Sequence, residues 1–340
     1  MGGKSMSAKH IFSSCIKFLY DHFISFADDK LIGVQKDRIK WILTVPVIWT
    51  DSCMQFVRES AFQAGISVDR LSLIYEPEAA LVYARQLHVN KVESEQNKIS
   101  LEIFKPGTKM LVVDAGEGSV DISAHEVLGN GGLQIIHKVC GGDYGGRTVT
   151  AAYRSLLTTL FSGPSLITFK KLYPMDYSEM MRSFEDKKKA FKVSVDQTVT
   201  TKIAETLLEI AAKGSDCPVE DIIANSEFAT KLWIKRRNLF IDASILKKFV
   251  QDSFKNLLTD ISNVLKNPRC SDVSAIMLVG GNAECDILQE AVRERFADVN
   301  VFVRTEEELY VLKGAVIYGH TPHIRKKPER RRVFDPDKKL

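Results

Sequence analysis

The residues best suited to chemistry sit in three glycine-bearing bends. Asp114-Ala115-Gly116-Glu117-Gly118-Ser119 separates two apolar runs, and Asp121 follows on the second of them. Gly141-Gly142-Asp143-Tyr144-Gly145-Gly146 comes after a third run, and Gly280-Gly281-Asn282 closes a fourth. A glycine bend lets backbone N–H groups approach an anion with no Cβ in the way. The first bend adds acid to amide, because Asp114 ends one run and Asp121 leaves on the next. Magnesium takes oxygen ligands and keeps several waters, so a carboxylate beside amide donors suits a magnesium–phosphate group. The bend at Gly280 precedes a helix and could seat a base or ribose against bare backbone. Gly2-Gly3-Lys4-Ser5 imitates the end of a Walker loop, but the earlier glycine and the preceding strand are missing, so it is read as accidental.

The elements that must position these bends follow from periodicity. Residues 10–26 read as a helix with Ile11, Phe12, Cys15, Ile16, Phe18, Leu19 and Phe23 on one broad apolar face. Residues 39–45 form a strand stopped by Pro46; a helix from about Thr50 closes at Gly65. Residues 71–75 are a second strand, and Glu76-Pro77-Glu78 opens a helix with proline in its first turn, where a missing N–H costs least. Residues 88–107 are polar and look like a surface insertion. The strand from Lys109 and the strand 120–124 form a hairpin around the first glycine bend, and 133–139 adds a third strand. A helix spans about 147–161. Residues 162–245 read as mostly helical, with one β-like stretch at 190–203. A long helix covers 243–266, followed by strand 275–279, helix 284–296, strand 299–303 and helix 306–318. Alternation of strand and helix predicts an α/β protein.

Composition excludes several classes. Of the 340 residues, 45% are hydrophobic and 26% charged, which is ordinary for a globular chain and unlike disordered, collagenous or coiled-coil sequences. The longest near-apolar run, Trp41 to Trp49, is nine residues, whereas a membrane helix needs about 20. No membrane partner is expected. The net charge of +4 comes from the end of the chain: from Arg325 onward the balance is +5 and the rest sums to −1. Nucleic acid is therefore not an expected partner of the folded body. The basic end, residues 323–340, reads as a solvated disordered tail, with nuclear import or polyanion binding as the sharper alternative. Six cysteines lie at positions 15, 53, 140, 217, 270 and 285, without Cys-x-x-Cys spacing. That fits a reduced cytoplasmic or nuclear compartment and no zinc site.

The order of the bends resembles the nucleotide-binding domain of the heat shock 70 kDa protein family, in the actin-like ATPase superfamily, at a divergent branch. The segments carrying the likeness are Trp41–Trp49, Ile74–Ala80, Val112–Ile122, Gly141–Gly146, Leu278–Asn282 and Leu312–Gly319. The resemblance implies an α/β fold of the actin-like (ribonuclease H-like) type, with two lobes and ATP or ADP with Mg2+ in the cleft. Lobe I would be incomplete. Residues 1–107 would be its remnant, 108–150 with 250–322 the base of lobe II, and 151–249 its upper subdomain. By position, Asp114 would hold magnesium through water, and Gly116, Gly118 and Ser119 would form a phosphate turn. Asp121 would be a second acid near metal and phosphates. Glu76 would help position the attacking water, and Pro46 would belong to the interdomain switch. Gly280, Gly281 and Asn282 would form the adenosine turn, Gly142 would border the nucleotide, and Glu185, Lys188 and Lys189 would contact purine and ribose. Co-chaperones or client proteins are the implied partners.

Departures from the family pattern keep two readings open. No Asp-x-Gly-Thr turn precedes Trp41, so half of the family's phosphate clamp is missing from this sequence. Glu117 replaces a glycine inside the phosphate turn, Met54 stands where a basic relay residue is usual, and Glu284 lies near a position commonly held by arginine. No β-sandwich for peptide binding follows. The first reading is an ATP- or ADP-binding, chaperone-type domain whose hydrolysis is in question. The second is a non-catalytic scaffold or truncated isoform that keeps the fold. A sugar kinase of the same superfamily is a distant third, because the Glu76-Pro77 and Gly141–Gly146 segments fit the chaperone branch better.

Overall fold

The computed structural model describes residues 5–30, 35–89, 104–142, 144–192, 197–214, 218–303 and 307–321. The expected basic tail, and most of the expected polar insertion, lie outside the described residues. The chain divides into two compact units. One comprises Met1–Met110, Ser123–Lys138 and Glu308–Leu340; the other comprises Leu111–Ile122 and Val139–Glu307. The divisions fall within strands β3 (Lys109–Ala115), β4 (Val120–Val127) and β5 (Leu133–Gly141).

The first unit opens with helix α1 (Ala8–Lys30), then β1 (Trp41–Val45), α2 (Asp51–Gln63), β2 (Leu71–Tyr75) and α3 (Glu76–Val89). Strands β1 and β2 pair in parallel, Trp41 opposite Leu71 and Val45 opposite Tyr75. A parallel pair needs a crossover, which α2 supplies. Thr50 caps that helix by accepting from the Cys53 N–H at 3.4 Å. The last helix, α11 (Glu307–His320), packs on α3, and Ile74, Ala79 and Ala315 form a small core there. Gly314 is required at that crossing, since a Cβ would run into the Ala79 carbonyl.

The apolar face of α1 does not become core: Phe18 is 71% exposed and Leu19 65%. Phe12 meets Phe56 edge-on at 5.2 Å and Phe23 meets Trp41 at 5.4 Å, but among described residues nothing encloses the stripe. Periodicity told which face was apolar; it could not tell whether another element would cover it.

The five-stranded sheet has the order β10-β9-β3-β4-β5, where β9 is Val273–Val279 and β10 is Asn300–Val303. Strands β3, β4 and β5 are successive neighbours, as the hairpin reading expects. The placement of β9 beside β3 has the greater consequence, because it brings together two bends more than 160 residues apart. Helix α4 (Gly146–Phe161) buries Tyr153, Leu157 and Leu160. Helices α5 (Gly163–Leu172), α6 (Pro174–Ala190), α7 (Glu205–Gly214) and α8 (Val219–Ala224) follow. Tyr153 stacks on Phe184 of α6 at 3.9 Å, and burial pushes its phenol up to about 12.

A second sheet departs from the sequence reading. Strand β6 (Thr198–Lys202) lies within the expected β-like stretch. However, β7 (Leu232–Lys235) and β8 (Asn238–Asp242) occupy a region read as helical, giving an antiparallel sheet of order β6-β8-β7. Their hairpin turns through Arg236 and Arg237, both at positive φ (48° and 61°). Such turns normally advertise themselves with Asn or Gly, so two arginines hide the hairpin. Helix α9 (Ala243–Leu265) then starts at an Asp242 cap, and α10 (Asp286–Arg295) lies between β9 and β10.

Candidate functional site

All the parts of the site described here belong to the second unit. Strand β3 is fully buried from Leu111 to Val113, then delivers Asp114 and Ala115 to the bend. The bend closes on itself through the Gly116 N–H, which donates to Ser119 O at 3.1 Å. Strand β4 leaves with Asp121, which is 6% exposed. Burial, aided by the negative charge of Asp121, pushes the Asp114 carboxyl up to about 6. Two acids held this close in a low-dielectric setting repel, and a divalent cation would relieve them.

The Gly280 bend meets this hairpin directly. Asn282 donates its backbone N–H to Ala115 O at 2.9 Å and its side-chain amide to Gly116 O at 2.8 Å. Gly280, at φ +90°, can be nothing but glycine: a Cβ there would collide with Asp114 Oδ1 and stand 2.8 Å from the Ala115 carbonyl. The loop before α4 closes from another side. Gly146 N–H donates to Gly116 O at 3.2 Å and Arg147 N–H to Glu117 O at 2.8 Å. A Cβ on Gly145 would stand 2.8 Å from Glu117 O, so that position also needs to be small. Thus two separate stretches converge on one hairpin. Several of their amides, those of Gly116, Gly146, Arg147 and Asn282, are spent on carbonyls within the site.

Helix α6 supplies the charged wall. Lys188, only 5% exposed at its side chain, lies 2.6 Å from Glu185 and 3.2 Å from Glu117. It also donates to Gly146 O at 3.2 Å and Thr150 Oγ1 at 3.4 Å, while Thr150 donates to Glu185 at 2.5 Å. Lys189, Gly281, Asn282 and Cys285 border the same place, around a cavity of about 10 Å³. Of the expected positions, Asp114, Gly116, Gly118, Ser119, Asp121, Glu185, Lys188, Lys189, Gly280, Gly281 and Asn282 thus gather at the hairpin and its flanks. Gly142 is exposed and faces the Tyr144 ring rather than the bends. Glu76 opens α3 in the other unit, and Pro46 follows β1 there.

One residue escaped the sequence reading. The guanidinium of Arg147 lies over the bend, 3.1 Å from where a Cβ on Gly118 would be. The signal was present, since Arg147 immediately follows Gly145-Gly146, but only contact across the loop makes it a cation at the bend.

The Hsp70 protein family model matches residues 2–321, nearly the whole chain. The chain belongs to the Hsp70 family. Among its Hsp70 relatives, heat shock 70 kDa protein 12B of Homo sapiens is 26% identical over 95% of this chain and 54% of its own length. Heat shock 70 kDa protein 12A of Mus musculus is likewise 26% identical, over 95% of this chain and 54% of its own. Chaperone protein DnaK of Thermotoga neapolitana is 22% identical over 82% of this chain and 41% of its own length. The chain therefore spans about half the length of the Hsp70 relatives it matches. Membership carries the actin-like ATPase architecture expected from the sequence, in agreement with the mixed α/β sheets and helices described above.

Among the described residues, no group of three or more His, Cys, Asp or Glu side chains is arranged to hold a metal directly, and no helix is long and apolar enough to cross a membrane. The two acids at the Hsp70 hairpin suit a hydrated magnesium ion, which needs few protein oxygens.

Proposed function

We propose that this chain is the nucleotide-binding part of a chaperone of the Hsp70 family, taking ADP or ATP with magnesium at the β3–β4 hairpin. The observation that carries the reading is the double tether of Asn282 to Ala115 and Gly116. It sets the bend suited to a nucleoside beside the bend suited to phosphate. Asp114 and Asp121 would hold the metal through its waters, and the metal when bound would neutralise phosphate charge. Arg147 would add a fixed cation at Gly118. Gly280 and Gly281 would leave room for a base, and Glu185 with Lys188 would face the ribose side. Residues 1–107 are read as a lobe I remnant containing Glu76 and Pro46, 151–249 as the upper part of lobe II, and the flanking segments as its base. Cytoplasmic or nuclear action, with co-chaperones or clients, extends the same reading.

Hydrolysis is a separate matter. Phosphoryl transfer depends on positioning and charge stabilisation. The proposal is therefore confined to binding and assigns no turnover to this chain. A non-catalytic scaffold is the second reading, favoured by the cavity of about 10 Å³ beside Lys188, which is far below a ligand pocket.

Thermal unfolding tests the first reading. Magnesium-ADP at millimolar concentration is expected to raise the melting temperature, because a ligand of the folded state stabilises it by mass action. An unchanged melting temperature would favour the scaffold.

A further inference from the structure

Glu117 is the residue that departs from the family's glycine, and its carboxylate does not point idly into solvent. It sits 3.2 and 3.3 Å from the Lys188 ammonium through its two oxygens. An ammonium has three N–H donors. Lys188 meets acceptors on Glu117, Glu185, Gly146 and Thr150, so its donors are fully used. A ligand gains a contact with Lys188 only by displacing one of these.

The partners are unequal. Gly146 O is main chain at the start of α4, and Thr150 is 5% exposed. The Glu185 side chain is 27% exposed and is also tied to Thr150. The Glu117 side chain is 51% exposed and reaches Lys188 from the glycine bend. It also lies over Gly146, where a Cβ would stand 2.5 Å from Glu117 Oε2 and would collide with Asn282 Oδ1. Glu117 and Asn282 therefore cover the same patch of backbone between the two bends. Of the four partners, Glu117 is the one a ligand can dislodge.

We propose that Glu117 is a built-in competitor for Lys188: its carboxylate holds the ammonium across the bend, and a nucleoside engages the site only by exchanging that contact for its own. This rests on the nucleotide-binding reading above and adds to it an affinity-setting residue supplied by this chain. The exchange acts on Lys188, on the nucleoside side of the site. Its cost is therefore felt by a neutral nucleoside as well as by a charged nucleotide. Simple repulsion between Glu117 and phosphate would be felt by the nucleotide alone.

The test is calorimetric titration of the full chain with adenosine and, separately, with magnesium-ADP. Wild type is compared with Glu117→Gln, which keeps the shape, and with Glu117→Gly. Glu205→Gln, at the exposed Arg237–Glu205 pair, serves as a control. Removing a half-exposed ion-pair partner that the ligand must displace is expected to tighten both ligands about fivefold in each Glu117 variant, with the control unchanged. Tightening of magnesium-ADP alone would reduce Glu117 to a repelling charge and overturn the proposal. Weaker binding of either ligand would make Glu117 a ligand itself and overturn it too. Wild-type binding with no change in either variant would overturn the competitor and leave the nucleotide reading standing. No binding by any of the proteins would overturn both.

Discussion

Gly280 and Asp114 lie in such close contact that the α-carbon of one leaves no room for a side chain against the carboxylate of the other. The contact joins the ends of β3 and β9. Its glycine is held at φ +90°, a conformation that L-residues rarely adopt. The convergence of two bends therefore depends on an absent methyl group.

Replacing Gly280 with alanine is expected to destabilise the second unit by about 2 kcal/mol or more, from a left-handed backbone and overpacking against Asp114 and Ala115 together. Urea unfolding would measure it. A loss under about 0.5 kcal/mol, the range of an ordinary surface change, would mean that the bends are less tightly joined than described.

Asp114→Asn should act oppositely on stability and on binding. Removing one of two mutually repelling acids is expected to raise the melting temperature in chelator, because burial and Asp121 already disfavour the charged form of Asp114. The same change is expected to weaken ADP binding about tenfold or more when magnesium is present, and far less when it is absent. Equal losses with and without the metal would remove Asp114 from the magnesium role.

The long helix α9 depends on a charged cap. Asp242 Oδ1 accepts from the Ser244 N–H at 2.9 Å, and hydrogen bonds with Ser244 hold its carboxyl below the usual range. A depressed carboxylate stabilises the fold above its unfolded pKa and loses that contribution as pH falls through its folded one. Asp242→Ala is therefore expected to cost about 1 kcal/mol at pH 7. The gap from wild type should begin to close below about pH 4, near the ordinary aspartate value. A gap that stays constant down to pH 2.5 would show that the carboxylate's charge is not what matters at this cap.

Much of the local structure was readable in the chain. The hairpin around Asp114–Ser119, the strand into Gly280 and the helix opened by Glu76-Pro77 each combine a periodic run with a glycine, which tolerates conformations other residues avoid, or a proline, which fixes φ. Those signals act within a few residues, so a sequence displays them. The reading broke down where the signal was missing or depended on distant partners. Arg236 and Arg237 turn a hairpin without glycine or asparagine, so β7 and β8 were hidden. The apolar stripe of α1 was visible, but its exposure was not, since burial belongs to whatever packs against a helix.

The types and order of the bends, the acids on them and the family they mark were determined by the sequence alone, because glycine conformation and strand periodicity are local properties. Tertiary structure decided which bends meet, through the pairing of β9 with β3. It also decided that Arg147 covers Gly118 and that Lys188 is held by Glu117. Those facts arise from hydrogen bonds and charge contacts between residues far apart along the chain, and only the folded backbone brings such groups within reach.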